Sequence, residues 1–259
     1  MKAIQQRAKV AQKAAIDAGR MLLNNFEKKI KVSTKKDGSL VTQFDIKAEK
    51  IIINSIKKYF PDDNILSEEC GHDLLTSEFT WIIDPIDGTH NYIRGITSFG
   101  TSIAVKYKEE IIIGVIYMPV EKELYTAKKG KGAFKNGKKI RVSDKPLEES
   151  TMIYDSTIKL NQNEMLKGLN KLADKVFNIR MFGSTVRSLT YVAEGKAEME
   201  IEFNDKIWDF AAGALLVKEA GGVFTDFIGK EEPWQKEQAY IASNKTTYKH
   251  LLNILKNIL

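Results

Sequence analysis

A single cysteine, Cys70, occurs in the 259 residues of the chain. No disulfide can form within it, so nothing points to an oxidising compartment, and the cytoplasm is the expected location. Without an evident histidine partner, Cys70 reads as a packing residue and not as a nucleophile. Long hydrophobic runs are missing too: the longest, such as Ile51 to Ile53 and Ile111 to Met118, are far too short to span a bilayer. The amino terminus is studded with Gln5, Gln6, Arg7, Lys9, Lys13, Asp17 and Arg20, which excludes a continuous signal-peptide core and predicts a surface helix. No internal repeat, low-complexity segment or disordered tail stands out. The net charge of +6 comes mainly from scattered lysines. There is no stripe of arginines and aromatics for stacking bases, so neither a membrane nor a nucleic acid is an expected partner.

What is present is enough apolar material, 43% of the residues, for one sizeable core or two tightly joined lobes. Periodicity predicts a helix over about 3–27 and a basic loop from Lys28 to Gly38. A second helix follows, capped by Thr42 with Asp45, with Ile46, Ile51, Ile52, Ile56 and Phe60 as its apolar face and Pro61 at its end. Strands are expected at 64–67, 79–83, 101–107, 111–118 and 124–127, largely antiparallel. From Thr151 strands and helices alternate: strands near 152–155, 177–181, 198–203, 223–226 and 239–243, and helices near 161–174, 184–195, 209–220 and 245–257. A lobe boundary is placed near Pro146. The residues themselves imply only a mixed α and β fold.

The most informative segment is Trp81-Ile82-Ile83-Asp84-Pro85-Ile86-Asp87-Gly88-Thr89-His90-Asn91. An aromatic, β-branched strand ends in two carboxylates, and Pro85 lacks the N–H that would continue the ladder, so the chain is expected to turn at Asp84. Asp84 and Asp87 then face one cavity with the Ile86 carbonyl between them, while Gly88 allows close backbone approach. Such oxygen donors suit Mg²⁺ or Mn²⁺. Asp-Pro and Asp-Gly are also ordinary turn formers. What favours a metal is that Glu68-Glu69 and Asp209 also lie beside apolar runs, where unpaired charge is costly.

Five signatures in order resemble the Mg²⁺-dependent, Li⁺-sensitive phosphomonoesterases of the inositol monophosphatase family. They are Gly38 to Asp45, Ser67-Glu68-Glu69, Trp81 to Tyr92, Gly183-Ser184, and Trp208 to Gly213 with Glu219-Ala220-Gly221-Gly222. The resemblance spans nearly the whole chain. It implies an α+β fold, a five-layer α-β-α-β-α sandwich similar to fructose 1,6-bisphosphatase, in which lobe 1–146 carries most metal ligands and lobe 147–259 carries Asp209 and the substrate pocket. A homodimer is also implied.

Carried over position by position, Glu68, Asp84, the Ile86 carbonyl, Asp87 and Asp209 match the ligands of two or three Mg²⁺ ions, with Mn²⁺ an alternative and Li⁺ an inhibitor. Asp45 and Thr89 match a pair that, with Glu68, activates a water held by the metal. Gly88 and Thr89 match backbone donors to the phosphate, and Asp87, Asp209, Gly183, Ser184, Thr185 and Glu202 fall at the substrate. The resemblance leaves Glu69 as a neighbour of the ligand Glu68, does not choose between Lys35 and Lys36 for a basic loop residue, and places His90 near the pocket. Small alanines of many relatives are replaced by Thr185 and Val186, followed by Arg187, whose bulk and charge are expected to reshape the alcohol pocket. Glu202 stands where inositol-specific relatives accept sugar hydroxyls, and His90-Asn91-Tyr92 lacks the lysine of relatives cleaving 3'-phosphoadenosine 5'-phosphate or histidinol phosphate.

The implied activity is hydrolysis of a small phosphorylated polyol, foremost myo-inositol monophosphate. A broad-specificity sugar or nucleotide phosphatase, acting on fructose 1,6-bisphosphate, NADP or 3'-phosphoadenosine 5'-phosphate, is the alternative, and a non-catalytic RNA- or protein-binding module is a more distant one. Gly132 to Lys139 nearly spells a nucleotide-binding loop, but its last residue is lysine and a strand pattern follows, so Asn136-Gly137 is read as a hairpin turn.

Overall fold

The computed structural model describes residues 2–258 except 37, 74, 232, 233, 235, 236 and 257, together with all but the side chains of 72 and 73. Its first half contains α1 (Lys2–Asn25), β1 (Val32–Thr34), β2 (Leu40–Thr42), α2 (Gln43–Lys57), β3 (Asn64–Ser67), β4 (Gly71–Asp73), β5 (Phe79–Asp87) and α3 (Thr89–Ile93). The meander β6 (Gly100–Tyr107), β7 (Glu110–Met118), β8 (Glu123–Lys128), β9 (Ala133–Lys135) and β10 (Lys138–Lys139) follows. After a short 3-10 turn come β11 (Thr151–Tyr154), α4 (Gln162–Leu172), β12 (Asn178–Arg180), α5 (Thr185–Ala193), β13 (Met199–Lys206), α6 (Ile207–Glu219), β14 (Val223–Thr225), β15 (Glu237–Ser243) and α7 (Lys245–Leu255).

One sheet has the strand order β10-β9-β8-β7-β6-β5-β3-β4 and the other β12-β11-β13-β15-β14. The period-2 alternation of β5 shows how the layers arise: Trp81 and Ile83 point into a core shared with α1 and α2, and Ile82 into one shared with α5 and α6. On the far side of α5 and α6 lies the second sheet, whose other face carries Met199, Ile201 and Phe203 against α4 and α7. The five layers implied by the resemblance are therefore present. They run α1/α2, eight strands, α5/α6, five strands, α4/α7.

The middle layer is the reason the halves meet closely. Helix α6 is buried on nearly every face, as expected of a helix held between two sheets. Gly114 on β7 admits it: a Cβ there would lie 2.6 Å from the Ala212 carbonyl oxygen. Gly213 likewise leaves room for Leu189 of α5, 2.3 Å from where its Cβ would be. These small residues bring the first turn of α6 up to the end of β5.

Several expectations change. The strand through Trp81 does not turn at Asp84 but continues to Asp87 as β5. Asp84 pairs with Ser102 and Asp87 with Gly100, three residues against two, so Pro85 and Ile86 are absorbed in a bulge, where a missing N–H is tolerated. Ile46 is 44% exposed, and the buried face of α2 is instead Phe44, Ala48, Ile52 and Ile56. The basic loop folds partly into the hairpin β1–β2. β3 and β5 pair in parallel within the otherwise antiparallel sheet. Asn136 and Gly137 do form a two-residue hairpin turn, both at positive φ, between β9 and β10. No helix among the described residues is long and apolar enough to cross a membrane.

Because the Gly114 contact is with backbone, which cannot rotate away, Gly114→Ala is expected to destabilise the protein by about 1–3 kcal/mol. Denaturant unfolding followed by circular dichroism measures it, and an unchanged midpoint would contradict the close approach.

Candidate metal and phosphate site

Three chain segments converge at the end of β5. Because residues 84 and 87 differ by an odd number they would face opposite sides of a regular strand; the extra residue of the bulge brings both onto the face towards α6. Carboxylate oxygens of Asp84, Asp87 and Asp209 lie within 4.8 Å of one another. Asp84 is 1% and Asp87 6% exposed. Each is aimed by backbone donors: the Ile86 N–H to Asp84 Oδ1 at 2.9 Å, the Thr185 and Val186 N–H groups to Asp87 at 3.1 and 3.2 Å, and the Lys206 N–H to Asp209 Oδ2 at 2.8 Å. Asp87 thus closes the first turn of α5, with the Ser184 hydroxyl donating to it as well.

The second acidic segment arrives from β3. Glu68 lies within reach of the charge on Asp84, and behind it Glu49 of α2 accepts from the Ser67 hydroxyl, from the Glu69 and Cys70 N–H groups at 3.2 and 3.0 Å, and from the Cys70 thiol. Glu49, 0% exposed, therefore shapes the glutamate loop. It lies one helical turn after Asp45 on the same face of α2. Cys70 is tied to this carboxylate, and burial with the nearby negative charges pushes its thiol up to about 11.

Thr42 and Asp45 cap α2, with the Phe44 N–H donating to Thr42 Oγ1 at 3.0 Å and the Thr42 N–H to Asp45 Oδ2 at 2.7 Å. The other oxygen of Asp45 faces Thr89, whose hydroxyl lies 2.9 Å from both Asp45 Oδ1 and the Ile86 carbonyl. With one proton to give, that hydroxyl serves one acceptor at a time. Gly88 allows the chain to turn here: its φ is +83°, and a Cβ would meet the Ser98 carbonyl at 2.8 Å. The amide of Asn91 donates to the Ser98, Phe182 and Gly183 carbonyls, tying the motif to the loop before α5.

Lys35, and not Lys36, enters the site. From the β1–β2 loop its Nζ reaches Glu68 Oε1 at 2.7 Å and Glu69 Oε1 at 2.6 Å, while Lys36 is exposed. His90 is exposed. Arg187 is turned away, 2% exposed and paired with Glu121 at 2.7 Å and Glu123 at 3.2 Å, so its charge does not enter the alcohol pocket as expected. Val186 is core. The Thr185 hydroxyl donates to Asp205 at 2.9 Å. Glu202 lies beside Asp155; burial raises it, and the charge of Asp155 adds to that. Asp155 and Asp205 were missed in the sequence because each is a lone acid near a strand end, with no signal to mark it.

The charge balance is strongly negative. Burial, then the charges of Glu68 and Asp209, raises Asp84 well above the carboxylate range. Burial dominates again for Asp209, with Asp205 next. Asp87 is pushed up to about 7 by burial against its donors, and Glu69 to about 7, also by burial. Burial likewise raises Asp45 and Glu68. Burial alone would lower Lys35, but the charges of Glu68 and Glu69 win and hold it above its usual value. A set of convergent carboxylates and one carbonyl, with a single lysine at its edge, has the chemistry of a hard-cation site, and a divalent cation fits it.

Comparison with known proteins agrees. The sequence profile of the inositol monophosphatase family matches residues 3–259. The chain is similar to the Nus factor SuhB of Pseudomonas aeruginosa, at 36% identity over 95% of this chain and 94% of that one. Identity is also 36% to the fructose-1,6-bisphosphatase/inositol-1-monophosphatase of Aquifex aeolicus, over 99% of this chain and 97% of that one. Among solved structures it resembles the inositol monophosphatase (IMPase) of Thermotoga maritima, with a TM-score of 0.90, 32% identity and 98% of each chain covered. With its fold, its acidic centre and its sequence all in agreement, the chain belongs to the inositol monophosphatase family.

Proposed function

We propose that the chain is a Mg²⁺-dependent phosphomonoesterase acting on a small phosphorylated polyol, with myo-inositol monophosphate as its reference substrate. The observation that carries this is the convergence of Asp84, Asp87 and Asp209 beside Glu68 and the Asp45–Thr89 pair. Glu68, Asp84, the Ile86 carbonyl, Asp87 and Asp209 are the residues that would hold the cation. Bound Mg²⁺ supplies positive charge against the phosphoryl and leaving-group oxygens and acidifies water.

The protein's own groups do the rest. Asp45 accepts from the Thr89 hydroxyl and orients it, so that the hydroxyl can accept from the attacking water and relay its own proton to Asp45, while Glu68 is the other carboxylate able to hold the proton. The backbone at Gly88 and Thr89 seats the phosphate, and Ser184 and Thr185, fixed on Asp87, border the alcohol with Gly183. Glu202 accepts from its hydroxyls. Attack is in line on phosphorus, with no phosphoenzyme. A homodimer and lithium inhibition are expected on family grounds. A second reading, an RNA- or protein-binding role, gains support from a relative named as a Nus factor; the complete acid set supports catalysis in either case.

In a panel of myo-inositol 1-phosphate, fructose 1,6-bisphosphate, NADP and 3'-phosphoadenosine 5'-phosphate with Mg²⁺, phosphate release is expected, with the inositol ester favoured. Asp87→Asn abolishes it, and Thr89→Ala lowers kcat by about a hundredfold. Absence of turnover on every ester would favour the binding reading.

The acids also set a pH dependence. Their pKa values in the folded protein lie above the ordinary value of 3.8, at about 7 for Asp87, so the native state keeps protons that the unfolded chain has released. The stability these groups contribute is complete below about pH 4 and is lost as pH rises through about 7. Thermal unfolding in a chelator is expected to show that decline, and Mg²⁺ to remove it, because a cation takes the place of the protons. Equal pH profiles with and without Mg²⁺ would refute the site.

Lys35 competes for the same carboxylates. Lys35→Met is expected to tighten Mn²⁺ binding about tenfold by calorimetry, the worth of one charge-assisted hydrogen bond. Weaker binding would make Lys35 a supporting residue.

A further inference from the structure

Beside the Asp87–Thr185 contact lies a second group of carboxylates, of which the reaction as proposed uses only Glu202. On β13, Glu200 and Glu202 share the face towards α5 and α6, while Met199, Ile201 and Phe203 face the opposite core. Glu202 pairs with Tyr240 and Asp205 with Gln238, three residues against two. The extra residue returns Asp205 to the face of Glu202, where its Oδ2 accepts from the Thr185 hydroxyl at 2.9 Å and the Tyr240 hydroxyl at 3.0 Å. Since the Thr185 N–H donates to Asp87, a single residue separates Asp205 from the proposed phosphate site. Asp205 is half-buried, whereas Glu202 and Glu200 on the same face are 7% and 1% exposed.

Among the described residues, no cation pairs with this group. Neither carboxylate oxygen of Glu200 has a hydrogen-bond partner, for the nearby Ser188 hydroxyl gives its proton to the Ser184 carbonyl at 2.9 Å. Arg187 is engaged by Glu121 and Glu123, Lys135 by Glu123 and Glu194, and Lys206 turns outward to Glu237. Burial, followed by the charge of Asp205, raises Glu200 and Glu202 well above the carboxylate range, and burial does the same for Asp205. A buried carboxylate without a partner is costly unless a cation or proton arrives.

We infer that Asp205, backed by Glu202 and Glu200, forms an acidic wall of the alcohol pocket that selects phosphate esters whose leaving alcohol carries an ammonium group. The inference rests on the phosphomonoesterase reading. A hydroxyl offers one donor and no charge, whereas an ammonium offers three donors and the missing positive charge to a wall with unused acceptors.

The test uses matched esters at pH 7 with Mg²⁺: glucosamine 6-phosphate against glucose 6-phosphate, and O-phosphoethanolamine against glycol phosphate, with myo-inositol 1-phosphate as reference. The amine of at least one pair is expected to have a kcat/KM about tenfold above its hydroxyl twin, chiefly through KM. Asp205→Asn and Glu200→Gln should each bring that ratio towards one. Turnover of myo-inositol 1-phosphate with no amine preference in either pair, or a preference that survives both substitutions, overturns the acidic wall and leaves the phosphatase reading intact. No turnover of any ester overturns both.

Discussion

Buried negative charge without enough positive charge to balance it is the constraint on which the molecule turns. Asp84 and Asp87 sit in a core where unpaired carboxylates are strongly disfavoured, next to Asp209 and Glu68, and one lysine answers them. Such an arrangement persists only if the surrounding fold is stable enough to impose it and something else supplies the charge. Three stacked cores provide the first condition, and a proton or divalent cation the second. The N–H donors at the starts of α5 and α6 reduce the burden but leave the carboxylates net negative.

The same backbone device builds both acidic groups. In β5 and again in β13 one extra residue is inserted opposite two, and each time an acid three positions along the strand is brought onto the face of its predecessor: Asp87 to Asp84, and Asp205 to Glu202. The two bulges lie on different sheets, and α5, with Thr185 bonded to Asp87 on one side and Asp205 on the other, joins them. One short helix start thereby holds the carboxylates of the proposed metal site and those of the inferred acidic wall together.

Much of the site was legible in the chain because its chemistry is concentrated in short segments. Trp81 to Asn91 carries two acids, a carbonyl, a glycine and a hydroxyl in consecutive positions, and Trp208-Asp209 opens a helix whose small residues do pack tightly. The five layers followed from the family resemblance, while the alternation of elements alone pointed only to mixed α and β. Less was visible where one residue acts alone. Glu49, Asp155 and Asp205 are ordinary acids in ordinary segments, and nothing local says that they point at the site. Arg187, next to three pocket positions, looked like part of it, yet a salt bridge from the other sheet draws it away.

What the sequence by itself determined was most of the strands and helices, the identity of the acids at β5, β3 and α6, and the small residues that open α6, since these depend on local periodicity and residue size. Only the tertiary structure decided which way the carboxylates face, which lysine reaches them, and that a second unpaired acidic group lies beside the first. A bulge reverses a side chain without altering the hydrophobic pattern, and an ion pair forms between residues far apart in the chain, so neither leaves a mark that periodicity can register.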